Sequence, residues 1–296
     1  MRTRKLLLAL AGLLPALFTG AVGNDDSLSV IQVMTYNIRY DARADEEAGW
    51  GWSQRKEELC RFISFCSPDV FGIQEGLVDQ VKYLDQKLQV YAWIGAGRDD
   101  GREAGEFVAI FYKKDRFDVL ESGNFWLSET PEEPGLKGWD AACTRMVTWG
   151  KFRDRQNGKV FFFFNTHFDH VGTVARMESA RLLLGKIQEV AGGDCCFLAG
   201  DLNATPDSEP VDLLLNPAKH HLEGVDGLQD AREAALQKLG PAYTYTGFDA
   251  CKSEEQRIDY IFTKKGVRVL EYAVIAQQIG YRYLSDHLPV FARLAF

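Results

Sequence analysis

Beyond residue 18, this 296-residue chain has no apolar run long enough to cross a bilayer. It also lacks an excess of positive charge: 34 Lys and Arg stand against 42 Asp and Glu, a formal net charge of −8. An acidic chain has no electrostatic footprint for sequence-independent nucleic-acid binding, which argues against a scavenging role on polynucleotides. The six cysteines show no zinc-type spacing. Cys195 and Cys196 are adjacent on an apparent buried strand, and Cys60 and Cys66 flank the end of a helix, so free thiols are expected; a Cys143–Cys251 bridge stays open. The absence of a Gly-x-Ser-x-Gly elbow argues against a serine nucleophile, and the absence of His-Glu-x-x-His argues against zinc hydrolysis. No Gly/Ser/Pro-rich linker and no internal repeat divides the chain, so one large α/β domain, read as a monomer, is expected.

The first residues read as a secretory signal peptide rather than as part of the fold. Arg2, Arg4 and Lys5 form a basic region, residues 6–18 a short apolar one, and the small residues 19–23 a cleavage site. Without residues 1–23 the formal charge moves to about −11, and the folded domain spans residues 24–296. A periplasmic or extracellular location follows from this reading.

Apolar residues at strand and helix periods alternate along the remainder. Residues 30–37 read as a strand. A polar loop with Trp50 and Trp52 follows, then a helix capped by Ser53 with apolar positions Leu59, Phe62, Ile63 and Cys66. Residues 70–73 form the next strand, and Val78, Val81, Leu84 and Leu88 mark a second amphipathic helix. From 91 to 164 short alternating runs predict antiparallel strands, with Gln156-Asn157-Gly158 as a hairpin turn. A helix over 174–190, a buried strand ending at Gly200-Asp201, a polar helical stretch over 230–239 and strands over 257–262, 267–274 and 290–294 complete the pattern. Two stacked, mostly antiparallel sheets with helices outside are predicted.

The polar residues that end these strands are the chemical signal. Residues 195–199 run into Gly200, after which Asp201 and Asn203 stand two residues apart. Asn37 ends the first strand, Glu75 the second, and residues 161–164 lead into Asn165-Thr166-His167-Phe168-Asp169-His170. Asp259 opens a late strand, and Ser285-Asp286-His287 precedes the last. Each has a plainer explanation alone. Asn37 suits a turn, Glu75 a helix N-terminus, His167 a packed imidazole, Asp259 an ion pair with Arg257, and Asp286 a cap. Five independent explanations of that kind are a poorer account than one shared site at the strand ends.

The ordered motifs Thr35-Tyr36-Asn37-Ile38, Gln74-Glu75, Thr166-His167-Phe168-Asp169, Gly200-Asp201-Leu202-Asn203, Arg257-Ile258-Asp259-Tyr260 and Ser285-Asp286-His287 resemble those of the endonuclease/exonuclease/phosphatase superfamily. Residues 125–131, 138–142 and Arg145 resemble an exported bacterial branch of it. The resemblance implies an α/β fold, a DNase I-like four-layer α/β/β/α sandwich. It also implies a metal-dependent phosphoric ester hydrolase, a phosphatase or phosphodiesterase, acting on a small-molecule or lipid-like phosphoester. A secreted nuclease is the alternative, disfavoured by net acidity, and a catalytically inactive binding module is the third reading.

Phosphoester hydrolysis needs charge neutralisation, a positioned water and a stabilised leaving oxygen. Glu75 is a hard oxygen ligand suited to Mg²⁺ or Mn²⁺, with Asn37 supporting that shell. His287, with an unperturbed pKa of ~6.5, is the favoured general base. The resemblance makes Asp259 its carboxylate partner and places Asp286 with the metal. Asp201 and Asn203 would align water and phosphoryl oxygen, and in some relatives the matching Asp is itself the base. His167 would stabilise a phosphoryl oxygen or protonate the leaving group. Arg145 and Asp169 are candidates for substrate contact, and the loops 40–52 and 95–106 for substrate choice.

Overall fold

The computed structural model describes residues 28–249 and 256–296. The proposed signal peptide and Cys251 lie outside them. The chain opens with β1 (Val30–Asn37), a short α1 (Arg43–Glu47), α2 (Trp52–Cys66), β2 (Val70–Gln74) and α3 (Val78–Lys87). The strands β3 (Tyr91–Ile94), β4 (Ile110–Lys113), β5 (Phe117–Trp126), β6 (Met146–Asp154) and β7 (Val160–His167) follow. Next come α4 (Thr173–Ala191), β8 (Cys196–Asp201), α5 (Glu209–Leu215), β9 (Leu228–Asp230), α6 (Ala231–Ala234) and β10 (Gln237–Leu239). The last strands are β11 (Asp259–Lys264), β12 (Arg268–Val274), β13 (Gln278–Ile279), β14 (Arg282–Tyr283) and β15 (Val290–Ala295).

Two mixed sheets result, one ordered β10-β12-β15-β1-β2-β4-β3 and the other β5-β6-β7-β8-β11-β9. Most neighbours are antiparallel, but β1–β2, β7–β8 and the edge pair β10–β12 run parallel. A helix (α2 or α4) connects β1 to β2 and β7 to β8, so both crossovers carry the chain back to start the next strand from the same end. The carboxyl ends of β1, β2, β7 and β8 therefore gather at one rim, where an α/β sheet characteristically binds ligands.

The run Phe161–Phe164 shows why the layers stack. Phe161 and Phe163 enter the core between the sheets with Val33, Val70 and Ile261, while Phe162 and Phe164 pack outward with Leu183, Leu184 and Leu213 under α4 and α5. All four rings are buried because a strand alternates its faces and both faces are covered. On the first sheet, Met34, Tyr36, Phe71 and Ile73 face Leu59, Ile63, Val81 and Leu84 of α2 and α3. Helices, sheet, sheet and helices make four layers, as the sequence predicts.

Two local expectations change. Ser53 does not cap α2; Glu46 of α1 reaches across, accepting from the Ser53 N–H and hydroxyl at 2.9 Å each. The polar helix over 230–239 shrinks to the single turn α6. Only Ala231 of that turn is buried, while Leu236 and Leu239 are exposed, so no apolar face exists to sustain a helix. Gln237–Leu239 pairs instead with β12.

A buried amide fastens the two sheets just below the rim. Asn165 on β7 donates from Nδ2 to the carbonyls of Ile73 (2.8 Å) and Ala109 (3.0 Å) in the other sheet, and its Oδ1 accepts from Gln74 Nε2 at 2.6 Å. Gly72 makes room for it: a Cβ there would fall 2.4 Å from the Asn165 amide. Asn165→Ala should lower stability by about 3 kcal/mol in urea unfolding, because it strips the partners from several buried polar groups.

Candidate active site

Each site residue stands where an apolar strand runs out. Asn37 is the last residue of β1; Glu75 follows β2; His167 and Asp201 end β7 and β8 and lie side by side in register. Asp259 opens β11 opposite Asp201. Gly200 permits this closeness, since a Cβ there would fall 2.1 Å from the Thr166 carbonyl oxygen of β7. Arg39, Glu75 and Asn203 adopt left-handed backbone (φ +58, +64 and +46), a strained geometry for side-chain-bearing residues that recurs at functional sites.

Asn37, fully buried, is the hub. Its Nδ2 donates to Glu75 Oε1 and Asp201 Oδ2, both at 3.0 Å, and its Oδ1 accepts from the Arg39 N–H at 3.0 Å. Both amide hydrogens are thereby used, so His287 Nε2, 3.4 Å from Nδ2 and 3.7 Å from Asp201 Oδ2, keeps its own hydrogen-bonding capacity. On the far side of the ring, Nδ1 meets Asp259 Oδ2 at 2.8 Å. Arg257 does not compete for Asp259, because it is bound to Asp230 at 2.6 Å.

The two histidines are tuned in opposite senses. Burial pushes His167 well below its ordinary value, helped by the nearby Arg145 charge, so it is neutral; its Nε2 accepts from Asn203 Nδ2 at 3.1 Å. Burial opposes ionisation of His287 too, but the Asp259 and Asp201 carboxylates together raise it well above its ordinary value. Asp201, 3.4 Å from His167 Nε2, is pushed up by burial to about 7.

Glu75 and Asp286 are the pair that fits a hard cation. Arg39 Nη1 stands 3.5 Å from Asp286 and 3.9 Å from Glu75, a single cation between two carboxylates. Burial, reinforced by the Glu75 charge, raises the Asp286 carboxyl. Two further groups with metal-ligand spacing occur among the described residues. In one, Asp201–Asp259–His287, Asp259 is committed to His287. In the other, Cys143–Asp169–His170, the Asp169 oxygens already accept from the N–H groups of Val171, Gly172 and Cys143 and from Arg145.

Asp169 was a candidate for substrate contact, and this arrangement corrects that expectation. It is fully buried, lies outside the cavity lining, and turns the loop after β7 while holding Arg145 Nε at 3.4 Å. Arg145 does line the cavity. Its Nη2 meets His170 Nδ1 at 3.0 Å, and its buried Nη1 has no protein partner. Asn37 and Asp259 lie behind the walls; Glu75, His167, Asp201, Asn203, Asp286 and His287 line a cavity of about 420 Å³.

Arg39, Arg98, Glu106 and His170 also line it, and sequence reasoning did not single them out. Arg98, within the loop 95–106 expected to govern substrate choice, is mostly buried and salt-bridged to Glu106 at 2.5 Å. Its pairing depends on a loop path that periodicity does not encode. Arg39 carried a signal, two residues beyond Asn37 on the same strand end.

Burial works against the Asp169 charge, but the surrounding N–H donors outweigh it and hold its carboxyl far below the usual range. Its stabilisation is complete above the unfolded pKa of about 3.9 and is lost as pH falls below that value toward the folded one. The stability advantage of the native chain over Asp169→Asn should therefore shrink between pH 5 and pH 2, as read from urea midpoints.

Comparison with known proteins agrees with this geometry. Residues 34–287 match the Endonuclease/Exonuclease/phosphatase family. The fold superimposes on an endonuclease/exonuclease/phosphatase from Bacteroides vulgatus with a TM-score of 0.83 at 38% identity, covering 90% of this chain and 98% of that one. The mannosyl-6-phosphatase of Bacteroides thetaiotaomicron gives 0.84 at 36% identity, covering 90% and 100%. Mouse tyrosyl-DNA phosphodiesterase 2 is 27% identical over 59% of this chain, which spans only 41% of that protein. Phosphatases and phosphodiesterases thus stand among its relatives, and the chain belongs to the endonuclease/exonuclease/phosphatase family of hydrolases.

Proposed function

We propose that the protein is an exported, Mg²⁺-dependent phosphohydrolase that acts on a small phosphomonoester, with a sugar phosphate the favoured class. The observation that carries the monoester reading is Arg145, which lines the cavity with Arg98 and His170 and whose buried Nη1 has no protein partner. A monoester dianion presents three non-bridging oxygens and more charge than a diester, so it rewards an extra guanidinium arm. The 36% identical mannosyl-6-phosphatase supports a sugar phosphate, and the N-terminal sequence pattern supports export.

Glu75 and Asp286 would hold the cation. Bound there, Mg²⁺ supplies positive charge to the phosphoryl oxygens. Asp201 takes the proton of the attacking water as the water oxygen bonds to phosphorus and the ester P–O bond breaks, and the departing alkoxide takes its proton from solvent. The Asp201 pKa near 7 suits a base working at neutral pH. His287, held charged by Asp259, donates from Nε2 toward the developing negative charge, so in this reading the base is Asp201, the alternative left open between the two. His167, being neutral, does not supply a proton to the leaving group. Asn203 orients the imidazole.

Hydrolysis across phosphomonoesters, phosphodiesters, phospholipids and DNA, with Mg²⁺ or with chelator, tests the proposal. Sugar monoesters should be cleaved best, and chelation should abolish turnover. The kcat/KM should rise as pH passes through about 7, where Asp201 ionises, and fall where His287 loses its proton. Asp201→Asn should remove the rising limb and about 10²–10⁴ of kcat. Preferential DNA cleavage would establish the nuclease alternative, and a folded protein without turnover or metal binding would sink the catalytic reading.

A further inference from the structure

A second cavity, of about 270 Å³, lies beside the catalytic one. One arginine links their linings: Arg39 reaches toward Asp286 of the catalytic wall with Nη1 (3.5 Å) and binds Asp45 of the second cavity with Nε (2.9 Å). The backbone also joins them, since the N–H of Gly247, which lines the second cavity, donates to the Asp286 carbonyl at 3.1 Å.

The lining combines aromatic surface with polar edges. Trp50 is fixed by its Nε1–H, which donates to the Tyr283 carbonyl at 2.8 Å; its polar atom is thus satisfied and the rest of the ring meets the cavity as apolar surface. Tyr281, 73% exposed, and Phe248 supply further ring surface. The Arg282 guanidinium lies 5.5 Å from both the Trp50 and Tyr281 centroids, bridging the aromatic floor and the polar rim. The charges balance: Asp45 is neutralised by Arg39, and Asp249 and Arg282 contribute one of each sign. A balanced wall gives no net attraction to a second phosphate. It suits a neutral ligand with an apolar face for the rings and hydroxyls for the carboxylate and guanidinium, which is the chemistry of a pyranose.

We propose that this cavity is a subsite for a neutral sugar unit of the substrate, next to the phosphoryl site. The proposal rests on the phosphohydrolase reading for its kinetic consequence but not for binding. Two readouts separate them. Neutral disaccharides (mannobiose, maltose, cellobiose) should shift the Trp50 indole N–H resonance, assigned with Trp50→Phe. Tyr281→Ala, a change at an exposed ring, should weaken that binding about tenfold, or about 1.4 kcal/mol. The same variant should raise KM about tenfold for a disaccharide 6-phosphate, leave its kcat unchanged, and leave p-nitrophenyl phosphate hydrolysis unaltered. Saccharide shifts in a protein that hydrolyses no phosphoester would support the subsite and remove the phosphohydrolase reading. The subsite is overturned if no saccharide shifts Trp50, if adenosine does so instead, or if Tyr281→Ala slows p-nitrophenyl phosphate hydrolysis equally.

Discussion

One carboxamide nitrogen ties the two halves of this fold into one site. Asn37 ends a strand of the first sheet, and its amide donates both to Glu75 on the neighbouring strand and to Asp201 on the opposite sheet. Its backbone carbonyl accepts from Ser285 at 2.7 Å, which anchors the segment that delivers Asp286 and His287. An aspartate could not serve here, because a third carboxylate would repel the two it faces and offers no N–H. The Asn165 clasp beneath keeps the sheets at the spacing this junction requires.

Burying so much charge is costly, and the surroundings show how it is offset. The charged groups of the catalytic cluster are largely paired, Asp259 with His287, Asp169 with Arg145 and Arg98 with Glu106, while Arg145 Nη1, His167 Nδ1 and Asp259 Oδ1 stay without a protein partner. Arg55, completely buried, has no carboxylate within salt-bridge reach among the described residues. Its guanidinium donates instead to the carbonyls of Ile38, Arg39 and Leu284, stitching the loop after β1 to the one before β15. Such a network holds its members in fixed geometry, which electrostatic catalysis needs and a solvated cluster would not supply.

Much of this was legible in the chain. The four-layer fold follows from apolar runs of strand length, such as residues 161–164, alternating with helical periods, and the site follows from polar residues that interrupt those runs at one end. What stayed hidden depends on three-dimensional paths. The carboxylate of Asp169 looked available but is saturated by local backbone N–H groups, and nothing in its neighbours' identities announces that. Arg98 and Glu106 meet only because residues 95–106 fold back on themselves. Arg257 and Asp259 are two apart yet choose different partners, since side chains two apart on an extended chain share a face but need not share a neighbour.

Whether Asn37 makes the carboxylates of both sheets a single catalytic unit is tested most directly by a double-mutant cycle. Metal-saturated kcat/KM would be measured for Asn37→Ala, Asp201→Asn and the double variant. A unit predicts strong non-additivity, with the double variant little worse than Asp201→Asn alone. Losses that simply add would show that Asn37 and Asp201 act independently and would contradict the account.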